Sequence, residues 1–127
     1  VLNKVKDRRS VVNLAGKTSI KELAAVFQLC DLTITSDSGP LHLADAVGAT
    51  TVSFFGPETP VLYGPRNGRN LVFYRAEKCS PCLDVLNAKT VSCDYRVRCM
   101  TEITAEEVHT ALLKEFPEIF SGQERNP

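Results

Sequence analysis

The chain has 127 residues, 43% of them apolar, which suits one domain with a packed core rather than a disordered tail. Fifteen basic residues balance 15 acidic ones for a formal net charge of +0, which argues against a nucleic-acid-wrapping surface, whose affinity comes mostly from basic charge. No apolar run reaches the length of a membrane span and no basic-then-apolar leader is read at the start, so a soluble cytoplasmic domain is expected.

Val1 to Ser10 is rich in Lys, Arg and Asp and lacks periodicity. Val11-Val12-Asn13-Leu14 is a β-branched run ending at Ala15-Gly16, which predicts a strand and then a loop. Ser19-Ile20-Lys21-Glu22 has the form of a capping box, in which serine and glutamate satisfy the open amides of a helix start. Ile20, Leu23, Ala24 and Phe27 follow at i, i+3, i+4 and i+7, predicting an amphipathic helix that ends near Gln28 to Cys30. Cys30, in that apolar stretch, reads as a buried thiol.

Leu32-Thr33-Ile34-Thr35 predicts a second strand, closed by Ser36-Asp37-Ser38-Gly39. Pro40 suits the first helical position, where a missing amide hydrogen costs nothing. From Pro40 to Val47, Leu41, Leu43, Ala44, Ala46 and Val47 encircle most of a helix expected to be largely buried, with Asp45 facing solvent or a cleft rim. Gly48 is its stop, and Thr51-Val52-Ser53-Phe54-Phe55 predicts a third strand. This alternation gives an α/β class, a Rossmann-like parallel sheet with flanking helices.

Pro57, Pro60, Gly64, Pro65 and Gly68 make 56–70 a long loop before a fourth strand at Leu71-Val72-Phe73-Tyr74. Thr104-Ala105-Glu106-Glu107 opens a last helix with a second capping box, and Val108, Ala111, Leu112 and Phe116 form its apolar face. Ser121 to Pro127 reads as a flexible tail. Doubly wound nucleotide-binding sheets have about five or six strands, so four at most predicts a fragment that enters a domain partway.

Ligands of open parallel sheets bind beyond the carboxyl ends of the strands. Asp37 to His42 lies at such an end, where a strand passes into a helix whose exposed amides and dipole favour an anion by roughly 0.3–1 kcal/mol or more. Gly39 allows close approach of a phosphate, while Ser38 and His42 can donate hydrogen bonds. An ordinary cap, with Asp37 or Ser38 bonding the open amides, is the competing interpretation.

Ile34 to Ala44, Val47-Gly48 and Thr51 to Pro60, together with Leu14-Ala15-Gly16-Lys17-Thr18-Ser19-Ile20, resemble glycosyltransferase family 9, the heptosyltransferases that add ADP-heptose units to the lipopolysaccharide inner core. The matching pieces cover about half the chain in the right order. The resemblance implies a GT-B architecture of two facing Rossmann-like domains. Residues 1–120 would then be a partial C-terminal nucleotide-sugar-binding domain with a cysteine-containing insertion at 76–100, the N-terminal acceptor domain being absent. By that analogy Asp37 contacts sugar hydroxyls, and Ser38, Gly39 and His42 hold the diphosphate. Gly16, Lys17 and Thr18 lie near ribose and base, and Phe55-Gly56-Pro57 lines the cleft. The resemblance further implies an inverting, metal-independent transferase whose catalytic base sits in the acceptor domain, so that the fragment alone is inactive. ADP-heptose and a lipopolysaccharide core or lipid A-linked acceptor are the implied partners, with peripheral contact at the inner membrane; no cofactor, metal ligand or nucleic acid is called for.

Cys79-Ser80-Pro81-Cys82, Cys93 and Cys99 are compatible with structural zinc, with disulfides or with free thiols. Arg66, Arg69, Arg75 and Lys78 form a basic cluster that suits either an anionic acceptor or a solvated loop. Two other classes compete with the transferase: a non-catalytic flavodoxin-like or receiver-like interaction module, and a small zinc or redox protein. A receiver would need an acidic cluster at its strand ends, where Asp37 stands alone in the motif.

Overall fold

A computed structural model describes residues 8–83 and 92–121 of the chain. After a 3-10 turn at Arg8–Ser10, helix α1 (Ile20–Leu29) leads to strand β1 (Thr33–Ser36), helix α2 (Gly39–Ala46) and strand β2 (Thr51–Phe55). The one-turn helix α3 (Pro60–Tyr63) interrupts the long loop before strand β3 (Asn70–Tyr74). A one-turn helix α4 (Arg98–Thr101), then α5 (Ala105–Glu115) and α6 (Pro117–Phe120), complete the order. The strands form a parallel sheet in the order β1-β2-β3, with Thr33 opposite Thr51 and Thr51 opposite Asn70.

Period-two alternation along β2 and β3 gives the sheet two different faces. Val52, Phe73, Leu112 and Phe116 form the buried core on one face, under α5 and α6. Phe54 and Phe73, opposite each other in register, stack with ring centroids 5.4 Å apart. The alternate residues Thr51, Ser53 and Phe55 are fully buried on the other face, the side of the sheet on which Leu41 and Ala44 bury one flank of α2. Helix α1 packs on α2.

The expected strand at Val11 to Leu14 does not form. Local hydrogen bonds turn the chain instead: Ala15 N donates to Asn13 Oδ1 at 3.0 Å and Lys17 N to Leu14 O at 3.0 Å, with Gly16 at φ +70°. An asparagine side chain that bonds the backbone two residues on competes with ladder pairing, and Val12 is left 78% exposed. Cys30 is also exposed rather than buried, because α1 ends one residue earlier and Leu29 beside it is uncovered too. Ser19 and Glu22 form the expected reciprocal capping box. At α5 only half of the expected box forms, since Thr104 Oγ1 accepts from Glu107 N at 3.1 Å while the Glu107 carboxylate pairs with Arg75. The expected tail beyond Ser121 and part of the 76–100 insertion lie outside the described residues. Among the described residues, no helix is long and apolar enough to cross a membrane.

Candidate functional site

The parallel ladder carries β1 one residue past its last paired position. Ser36 stands opposite Phe54, and Asp37 N donates to Phe54 O at 3.2 Å, so Asp37 lies at the carboxyl ends of β1 and β2. Ser38 is the N-cap of α2, yet its side chain makes no cap bond. Its hydroxyl donates to Ser36 O at 3.1 Å and lies 3.5 Å from Thr35 Oγ1. Pro40 occupies the helix start without an amide hydrogen, and the first turn holds no acidic residue. The helix start therefore lacks the serine cap that the competing interpretation required of Ser38. Gly39 and His42 are exposed on this end of α2.

A cavity of about 290 Å³ opens at the same sheet end, bounded by Ser36, Asp37, Phe54, Gly56, Pro57, Glu58, Leu83 and Met100. Of the sequence-derived site residues, Asp37 and Gly56 line this cavity. Gly16, Lys17, Thr18, Ser38, Gly39 and His42 do not. Gly16 to Thr18 sit in the turn before α1, with Gly16 and Lys17 exposed. Glu58, 7% exposed, is a second carboxylate on the cavity wall and was missed by sequence reasoning. The available signal was an acidic residue lodged between the prolines of Gly56-Pro57-Glu58-Thr59-Pro60, immediately after the most buried strand.

Gly56 meets a close neighbour across this wall. A Cβ there would stand 2.7 Å from Met100 Sδ and 2.9 Å from Cys99 Sγ. Beyond Pro57 a second cavity, of about 350 Å³, is lined by Cys79, Cys82, Cys93 and Cys99. Burial, and then the charge of the neighbouring cysteines, pushes the thiols of Cys82 and Cys99 up. None of the five cysteines is in a disulfide.

The expected basic cluster is dispersed by structural partners. Arg69 pairs with Glu118 and stacks 4.5 Å above the Phe116 ring, while Arg75 pairs with Glu107 and donates to Glu102 O at 3.0 Å. Asp45, expected at solvent or a cleft rim, is half-buried and anchors the long loop. Its carboxylate accepts from Asn67 N at 2.8 Å, from Asn67 Nδ2 at 3.1 Å, and from Arg66 N through both oxygens.

A short parallel sheet flanked by helices, with a cavity at the strand carboxyl ends beside a helix start, defines an α/β protein of the Rossmann-like class. Comparison with known proteins narrows the class. The glycosyltransferase family 9 (heptosyltransferase) profile matches residues 2–91, and the chain belongs to that family. It is 35% identical over 99 residues to lipooligosaccharide heptosyltransferase 2 of Campylobacter jejuni subsp. jejuni serotype O:2, covering 77% of this chain and 30% of that protein. It is 30% identical over 121 residues to lipopolysaccharide heptosyltransferase 3 of Escherichia coli (strain K12), covering 94% of this chain and 33% of that protein. Lipooligosaccharide heptosyltransferase 2 of Haemophilus influenzae is 40% identical over 53 residues, 42% of this chain and 15% of that protein. The chain therefore spans about a third or less of the length of these curated relatives. No solved structure matches it. Family membership sets the chain among glycosyltransferases rather than flavodoxin-like or receiver-like modules.

Proposed function

We propose that this chain is the donor-binding part of a heptosyltransferase that moves heptose from ADP-heptose onto a lipopolysaccharide core or lipid A-linked acceptor. The observation that carries the reading is the start of α2. Its N-cap serine is turned away from the first-turn amides, its first turn holds no acid, and Asp37 beside it lines the cavity at the strand ends. A helix start of this kind attracts the oxygens of a diphosphate. In this reading Ser38, Gly39 and His42 hold the diphosphate, Asp37 bonds sugar hydroxyls, and Gly56 keeps the cleft wall low. Gly16, Lys17 and Thr18, on the loop before α1, approach ribose and base.

The reaction follows from where charge develops. As the sugar–phosphate bond breaks, negative charge grows on the departing ADP, and preorganised amides and hydroxyls at that point lower the barrier more than they stabilise the ground state. Transfer is inverting and needs no metal in this scheme, and residues 1–120 act as the C-terminal half of a GT-B pair. The base that takes the acceptor proton belongs to the N-terminal half. Such an enzyme works on the cytoplasmic face of the inner membrane, where its acceptor is anchored.

Thermal unfolding with ADP, UDP or no ligand tests the reading. ADP at about ten times its Kd adds roughly 1.4 kcal/mol, a rise of several degrees in a domain this small. UDP gives less, and Ser38→Ala with His42→Ala reduces the ADP shift. Equal shifts with ADP and UDP, or none with either, contradict the assignment.

A further inference from the structure

The four cysteines after β3 come from three stretches of chain and line one cavity, with Cys99 buried, Cys79 and Cys82 half-buried and Cys93 exposed. The Cys79-x-x-Cys82 turn is fastened to the sheet end. Cys82 N and Leu83 N both donate to Pro57 O, at 2.8 and 3.1 Å, and Ser80 Oγ donates to Gly56 O and meets Tyr74 Oη at 3.0 Å. On the other side, Val97 N donates to Cys93 Sγ at 3.2 Å, so that sulfur already serves as an acceptor, the role of a thiolate ligand. Arg96 and Val97 stand at φ +53° and +57°, a coil that returns Cys99 to the cavity on α4. Non-glycine residues hold such angles only where their surroundings over-determine them.

We propose that Cys79, Cys82, Cys93 and Cys99 together bind one structural zinc ion. Four thiolates with no vacant position for water are the ligand set of closed tetrahedral zinc sites. Binding releases the four thiol protons to solvent and leaves a site of net charge −2. Arg98 is on the cavity wall, with its Nε donating to Glu102 Oε1 at 2.7 Å. Among the described residues no three ligand-type side chains stand at metal spacing, so the proposal requires the four sulfurs to close on the ion when it binds. Pro57 and Leu83 wall both this cavity and the one beside Asp37. The ion therefore stiffens the wall of the sheet-end cavity without entering the chemistry, and its presence does not depend on which nucleotide binds there.

Metal analysis of the 127-residue chain, purified without added zinc, is the test. The expected result is about one zinc per chain, released when a mercurial titrates the thiols. Loss of mere outer-shell partners costs about 10–100-fold in metal affinity, so Cys79→Ser and Cys93→Ser should fall at least that far, while Cys30→Ser, outside the cavity, keeps full zinc. Because replacing buried Cys99 can cost the fold itself, cobalt titration of the stripped wild-type chain supplies a second readout, the absorption of tetrahedral tetrathiolate cobalt. Substoichiometric zinc with no cobalt spectrum, a disulfide among the four, an iron–sulfur chromophore, or zinc retained in Cys79→Ser would each overturn the proposal.

Discussion

Thr51 sits at the start of β2 with no exposed surface, and its hydroxyl has no hydrogen-bond partner among the described residues. A buried hydroxyl without a partner loses its bonds to water and gains nothing in return, at a cost of about 1–3 kcal/mol. Valine has the same branched shape and keeps the strand preference of the site. Thr51→Val should therefore stabilise the chain by about 1 kcal/mol, seen as a higher urea midpoint at unchanged m-value; a lower midpoint would reveal a hidden partner. At this scale the sequence was legible where a residue's role is local. Ser19 and Glu22 announced their reciprocal cap by spacing alone. Asp45 did not announce its role, because its partners Arg66 and Asn67 lie across a loop whose path no local pattern specifies. Glu58 was illegible for the same reason, since only the fold brings its carboxylate to the wall that Asp37 lines.

Among the elements, α5 and its C-cap decide whether the Val52 and Phe73 face of the sheet is covered. Phe116 is 1% exposed, packs with Val52, Phe73 and Leu112, and carries the Arg69 guanidinium on its ring. Phe116→Ala removes that anchor from a small core and should cost about 3–5 kcal/mol, much of the stability of an ordinary domain of this size. Leu113 is 45% exposed on the same helix, so Leu113→Ala should change stability by no more than about 0.5 kcal/mol. Urea unfolding of the pair checks the contrast, and equal losses would mean that α5 is docked differently. Period and caps made α1, α2 and α5 readable, with ends within a residue or so of expectation. The three strands that formed were β-branched or aromatic runs between turn residues. The run at Val11 to Leu14 had similar composition and failed, because a strand also needs an edge to pair with, and its own Asn13 supplied a turn instead.

For the whole molecule, a three-stranded parallel sheet with a cavity at its strand ends is, in the proposed function, one wall of a cleft. A general base has to come within hydrogen-bond reach of the acceptor proton, roughly 2.6–3.2 Å. Asp37 and Glu58 both line the sheet-end cavity, the side that the proposed function gives to the donor. The isolated chain should accordingly bind ADP but transfer no measurable heptose from labelled ADP-heptose to a lipopolysaccharide core acceptor. Adding the remainder of a family 9 enzyme, joined in one chain, should restore transfer. If the isolated chain does turn over, the base lies within it, and Asp37→Asn and Glu58→Gln tell which carboxylate it is. The guilty variant loses the activity while the ADP-induced thermal shift survives, since a base for the acceptor contributes nothing to holding the diphosphate.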